Sequence, residues 1–166
     1  MARAELVGWA STQRVGADGV VDSEQRVEVD RPVVECSEEG ARRLASRYWV
    51  ALRRLGRGLL AVREDDGGIE VRVLGRGPVV LALGPVETEH SPTSASAAHS
   101  ILGGLLVRRG GGSICFEQTV GERVELRSRL TGFYPRRGPF YALVQRRLHI
   151  AVSRRYFRRL IGGEPP

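Results

Sequence analysis

The sequence predicts an α+β protein, with a curved antiparallel β-sheet wrapped around a long C-terminal helix and one N-terminal helix, Ser37–Leu55. Three observations predict it. Residues 37–55 and 139–161 carry apolar residues at helical spacing. Glycine- and aspartate-rich turn signals cut the stretch between them into about six short β-leaning runs. Strands grouped between helices, rather than alternating with them, form segregated layers instead of parallel βαβ units.

Each element has a local reason. Glu5–Ala10 and Gln25–Val34 read as extended, flanking the turn signal Gly16-Ala17-Asp18-Gly19. Ser37 opens the first helix, because its hydroxyl caps free N–H groups and Glu38 and Glu39 sit where the helix dipole favours negative charge. Ala41, Leu44, Ala45, Tyr48, Trp49, Leu52 and Leu55 trace one apolar stripe, and Gly56 or Gly58 stops the helix. Leu59–Arg63 and Ile69–Leu74 flank the hairpin signal Asp65-Asp66-Gly67-Gly68. Val79–Glu87 reads as one strand, and His90–Ala98 as a small-residue loop or strand start. Ser100–Arg108 and Ser113–Val120 flank a Gly110–Gly112 turn. In Arg123–Phe133, Val124, Leu126, Ser128 and Leu130 alternate with Glu125, Arg127 and Arg129, which gives one buried and one wet face. Pro139 starts the last helix, where its missing N–H costs nothing. Phe140, Val144, Leu148 and Val152 form one stripe of it, and Leu143, Ile150, Phe157 and Ile161 a second.

Composition bounds the chemistry. All 26 basic residues among the 166 are arginine, and the chain also lacks asparagine. Without lysine there is no Schiff-base lysine and no Walker A or kinase phosphate lysine. Without asparagine there is no N-glycosylation site and no Cys-His-Asn triad. At 42% hydrophobic the chain reads as a single globular domain, 1–166, with 1–24 a loosely assigned extended segment. The start MARAELVGWASTQRV has no apolar signal-peptide core, and Cys36 and Cys115 form no C-x-x-C pair. A cytoplasmic location is the expectation.

Charge is lopsided. Residues 1–100 carry 13 arginines against 15 acids, a net of −2, and residues 101–166 carry 13 against 4, a net of +9. A basic half invites an anionic partner. Arg154, Arg155, Arg158 and Arg159 crowd the end of the last helix and are the candidate anion-binding group. No RNP, KH or zinc-finger pattern accompanies them, so nucleic acid is disfavoured and peripheral contact with an anionic membrane is the better expectation.

The element order over residues 25–161, and the passage Arg127-Ser128-Arg129-Leu130-Thr131-Gly132-Phe133-Tyr134-Pro135-Arg136 leading into the Phe140–Leu160 helix, resemble the START-like, polyketide cyclase-like superfamily with its helix-grip fold. Many members have two short helices after the first strand, whereas one longer helix is expected here. The resemblance implies a deep pocket for a hydrophobic or amphipathic small molecule, lipid- or polyketide-like, between sheet and C-terminal helix. Its members include carriers as well as cyclases and dehydratases, and fold alone does not choose among them.

Candidate site residues follow. Tyr48, Trp49, Phe116, Phe133, Phe140 and Tyr141, with Val144 and Leu148 of the last helix, are the candidate pocket lining. An enzyme on this fold needs a titratable group in the pocket, and His99, His149 and Arg129 are the candidates. The three histidines match no metal spacing, so no metal and no cofactor are expected. Glu87 and Glu89 share a strand face and read as a solvated strand end, and Gly110–Gly112 as a hairpin turn.

Overall fold

The computed structural model describes residues 4–56, 58–136 and 139–162, and over 139–148 the backbone alone. It contains β1 (Leu6–Val15), β2 (Val21–Val29), α1 (Glu38–Leu55), β3 (Leu60–Asp65), β4 (Gly68–Val73), β5 (Val79–Leu83), β6 (Glu87–Ser91), β7 (Ser94–Gly103), β8 (Ser113–Val120), β9 (Val124–Phe133) and α2 (Pro139–Gly162). The nine strands form one antiparallel sheet in the order β1-β2-β9-β8-β7-β5-β4-β3, with β6 also paired to β7. This is the α+β architecture expected from the sequence. Both helices are present at the predicted places, α1 capped by the Ser37 hydroxyl, which accepts from the Gly40 N–H at 3.1 Å.

Strand boundaries differ from expectation in three regions of the chain. The N-terminal strands reach much further into the Gly16–Gly19 turn, because beyond a register shift between Leu6 and Gly8 the hairpin pairs continuously to Val15↔Val21, and β2 stops at Val29, short of the expected Val34. The run Val79–Glu87 is two strands, both paired to β7. Pro85 between them has no N–H for the ladder. Residues 94–103 form one strand ending at the glycines. At Gly104 φ is +121°, and a Cβ there would come within 2.5 Å of the Val80 carbonyl oxygen.

Strand alternation sets what faces inward. On β2, Ser23, Gln25, Val27 and Val29 are buried while Glu24, Arg26 and Glu28 are not. On β9, Val124, Leu126 and Ser128 are buried and Glu125, Arg127 and Arg129 face out. The outer face is laced by ion pairs, such as Arg26–Glu125 at 3.2 Å. Helix α1 lies over β6, β7 and β8, and α2 packs against α1 and β2. Leaving β2, the chain crosses to α1 through a loop fixed by the fully buried Gln118 of β8. Its Oε1 accepts from Val33 N–H (2.8 Å) and Val34 N–H (3.1 Å), and its Nε2 donates to Val34 O (2.8 Å). That side chain satisfies backbone groups the loop would otherwise bury unpaired. No described helix is long and apolar enough to cross a membrane.

Candidate functional site

Between the sheet and the two helices lies a cavity of about 640 Å³. Its floor is built by inward positions of the strands, among them Val71, Leu83, Ile101, Ile114 and Leu130. Tyr48, Trp49 and Leu52 of α1 and His149 and Val152 of α2 supply the other walls. Gln13 and Val15 of β1 and Pro135 and Arg136 after β9 also line it, and all but the half-buried Pro135 are exposed. These residues mark the mouth, at the sheet end where the β1–β2 turn and the β9–α2 connection sit. A largely apolar, concave space with few polar groups is what small-molecule sites look like.

Beside the cavity the interior is solid. The Tyr48 ring packs against Trp49 (5.0 Å between centroids), Phe116 (4.7 Å) and Tyr156 (5.5 Å). Tyr156 meets Phe157 at 4.9 Å, and Trp9 of β1 covers Phe157 edge-on at 5.2 Å. Tyr48–Trp49, Tyr48–Tyr156 and Trp9–Phe157 meet edge-to-face, a favoured aromatic geometry, and the other two pairs are tilted.

The sequence candidates separate sharply. Tyr48, Trp49 and Phe133 line the cavity. Phe116 does not; it is wholly buried among the aromatic rings. The side chains of Phe140, Tyr141, Val144 and Leu148 lie outside the described residues. Of the three titratable candidates only His149 lines the cavity. His99 sits instead in a recess of about 140 Å³ with Glu39, Arg42 and Glu64. Its Nδ1 is 2.9 Å from Gly84 O, its ring meets Trp49, and burial lowers its pKa. Arg129 points away from the cavity on the outer sheet face, 3.4 Å from both Glu24 and Glu117. Strand alternation requires this, since Ser128 and Leu130 take the inner positions. The candidate anion group is also split: Arg154, Arg155 and Arg158 are exposed, but Arg159 is buried, one turn's periodicity having carried it to the packed face.

His149 is the most unusual of these groups. The Tyr48 hydroxyl lies 3.5 Å from its Nδ1, and its Nε2 is buried with no partner among the described residues. Burial pushes the His149 pKa below its ordinary value and that of Tyr48 far above, so both are neutral at pH 7. Sequence reading missed a second polar feature. Gln25, 1% exposed, stands on the cavity floor and its Nε2 donates to Ser11 Oγ at 2.6 Å, while its Oε1 has no partner among the described residues. The signal was present: serine and glutamine occupy the inward phase of β2, where Val27 and Val29 continue it.

The end of the sheet that carries the mouth is apolar and cationic, and of its exposed apolar side chains Val15 lines the cavity itself. Val15, Leu59, Leu74, Leu102 and Leu105 are 45–67% exposed, five of the eight exposed large apolar side chains among the described residues. All five belong to turns and strand ends on the mouth side. The exposed Arg76, Arg108, Arg109 and Arg136 come from the same connections, and the Arg109 guanidinium stacks 3.6 Å above the Tyr134 ring. Among the described residues no cluster of three metal-ligating side chains occurs.

No family model matches the chain, and no curated protein matches it. Two solved structures are similar in outline. One is CalU16 from Micromonospora echinospora, 14% identical over 96% of this chain and 87% of that one, with a TM-score of 0.39. The other is DynU16, described as a putative protein in the dynemicin biosynthetic locus, 19% identical over 86% of this chain and 48% of that one, with a TM-score of 0.40. Likeness at this level assigns neither a family nor an activity.

Proposed function

We propose that this protein binds a hydrophobic or amphipathic small molecule, lipid- or polyketide-like, in the cavity between the sheet and α2. The observation that carries this reading is the cavity itself, about 640 Å³ of largely apolar space left open in an interior that elsewhere packs solidly. An empty apolar void of that size costs dispersion contacts that a guest restores. Native mass spectrometry of the purified protein is expected to show a co-purifying guest. In solution the uncharged probe N-phenyl-1-naphthylamine is expected to gain fluorescence on entering the cavity. Leu130→Trp, which fills the floor, abolishes that gain with little change in Tm. Unchanged dye uptake by the folded variant would sink the reading.

The rim favours a second element of function, contact with an anionic membrane at the mouth. Exposed leucines beside arginines combine apolar insertion with attraction to acidic headgroups. Co-sedimentation with phosphatidylglycerol vesicles, but not phosphatidylcholine vesicles, is the expected result. Arg108→Glu with Arg109→Glu weakens it severalfold, and equal binding to both vesicles counts against it.

A further inference from the structure

We propose that the cavity selects a guest bearing a carbonyl oxygen on an uncharged apolar body, and that His149, positioned by Tyr48, donates the hydrogen bond that reads this oxygen. The inference rests on the cavity reading above and names the chemistry of its guest.

Three observations converge on it. The first is tautomer. A neutral imidazole has one donor and one acceptor nitrogen. Tyr48, kept protonated by burial, has a hydroxyl to donate and lies against His149 Nδ1. A hydroxyl can also accept, but Nδ1 is the only partner of the buried Tyr48 hydroxyl among the described residues, so the arrangement that leaves its O–H paired is donation to Nδ1, with the ring proton on Nε2. The second is an unmet donor. Nε2 is shut off from water and has no partner among the described residues, on a ring that lines the cavity. A buried donor left unpaired is destabilising, and a guest acceptor relieves it. The third is charge. Among the described lining residues the one ionised side chain is Arg136, exposed at the mouth. A charged guest body would find no counter-charge on the described inner walls, so the acceptor is a neutral oxygen.

Gln25 on the floor adds a complement. Whichever way its amide is turned, one end bonds Ser11 and the other bonds nothing among the described residues. A guest that carries a hydroxyl as well as a carbonyl has a site for each.

The test uses two probes of matched shape, 2-acetylnaphthalene and 2-ethylnaphthalene, with affinities measured by equilibrium dialysis. The wild-type protein is expected to bind the ketone about tenfold more tightly, the factor that one recovered hydrogen bond supplies. His149→Phe is expected to remove the preference, read as the ratio of the two affinities within the same variant. Tyr48→Phe reduces the preference without removing it, and His149→Gln, which keeps a donor, restores part of it. Histidine 15N NMR of the wild-type protein needs no variant to fold. The ketone is expected to shift the His149 Nε2–H signal and the hydrocarbon to leave it in place. Equal affinity for both probes, a preference that survives in His149→Phe, or a His149 signal blind to the ketone overturns this inference and leaves the cavity reading standing. Failure of both probes to bind overturns the cavity reading, and this inference with it.

Discussion

Where α1 crosses β6, β7 and β8, Tyr48, Trp49, Phe116 and Tyr156 interlock with ring centroids 4.7–6.2 Å apart. Toward the mouth, the same sheet presents Val71, Leu83, Ile101 and Leu130 to a void. The strands are alike in alternation and the inner side chains are alike in polarity. The difference is size and opposition. The solid region has aromatic rings from the sheet and both helices meeting at one point, whereas the open region sets mid-sized aliphatic side chains on strands that curve away. The space was left by shape, while the total apolar content is ordinary.

Truncation is the strongest way to break this contrast. Phe116→Ala opens a hole in the closed region and is expected to cost about 3–5 kcal/mol. Leu81→Ala, on a half-buried cavity wall, is expected to cost about 1–2 kcal/mol, because it enlarges a space already present. Urea denaturation of both variants measures the gap, and equal losses would mean that the cavity region is as tightly packed as the aromatic one.

Acid is a gentler probe of the same boundary. His99 and His149 border Trp49 and Tyr48, and burial lowers the pKa of each in the folded protein. As pH falls through about 6.5 the unfolded chain takes up protons on both histidines before the folded one does. Proton uptake by the unfolded state draws the equilibrium its way, so stability is full above about 6.5 and declines below it. Tm measured between pH 7.5 and 5 is expected to fall, and a His99→Gln, His149→Gln double variant to flatten the decline. A wild-type Tm that holds steady over this range would contradict the lowered values.

The smallest effect belongs to the outer face. Arg129 is about two-fifths exposed and sits between Glu24 and Glu117. Arg129→Ala is expected to cost less than about 1 kcal/mol and to leave dye uptake unchanged, as for an exposed ion pair. A loss of dye uptake would place Arg129 in the site after all.

Much of this was legible from residue order. Ser37, Gly56 and the stripe from Ala41 to Leu52 fixed α1, because capping and periodicity are local. The alternation in β9 already placed Arg129 on the wet face. Naming it as a catalytic candidate went against that pattern. What could not be read was depth. Phe116 and Phe133 look the same in sequence, yet one is locked among rings and the other lines the void, a difference set by pairing partners far along the chain. Gln25 and Ser128 were readable as polar residues at inward positions, which is where unmet hydrogen-bonding capacity collects.

The Gln118 clamp carries a consequence for how the molecule comes into being. It ties a loop to a side chain 84 residues later, and β2, which holds Gln25, has β9 as its inner neighbour. The first hairpin therefore waits for nearly the whole chain before it has a sheet to join. Pairings this distant in sequence close late and slowly. The wall formed by β1 and β2 can join the sheet only after β9 has been made. A guest finds its chamber only once the molecule is finished.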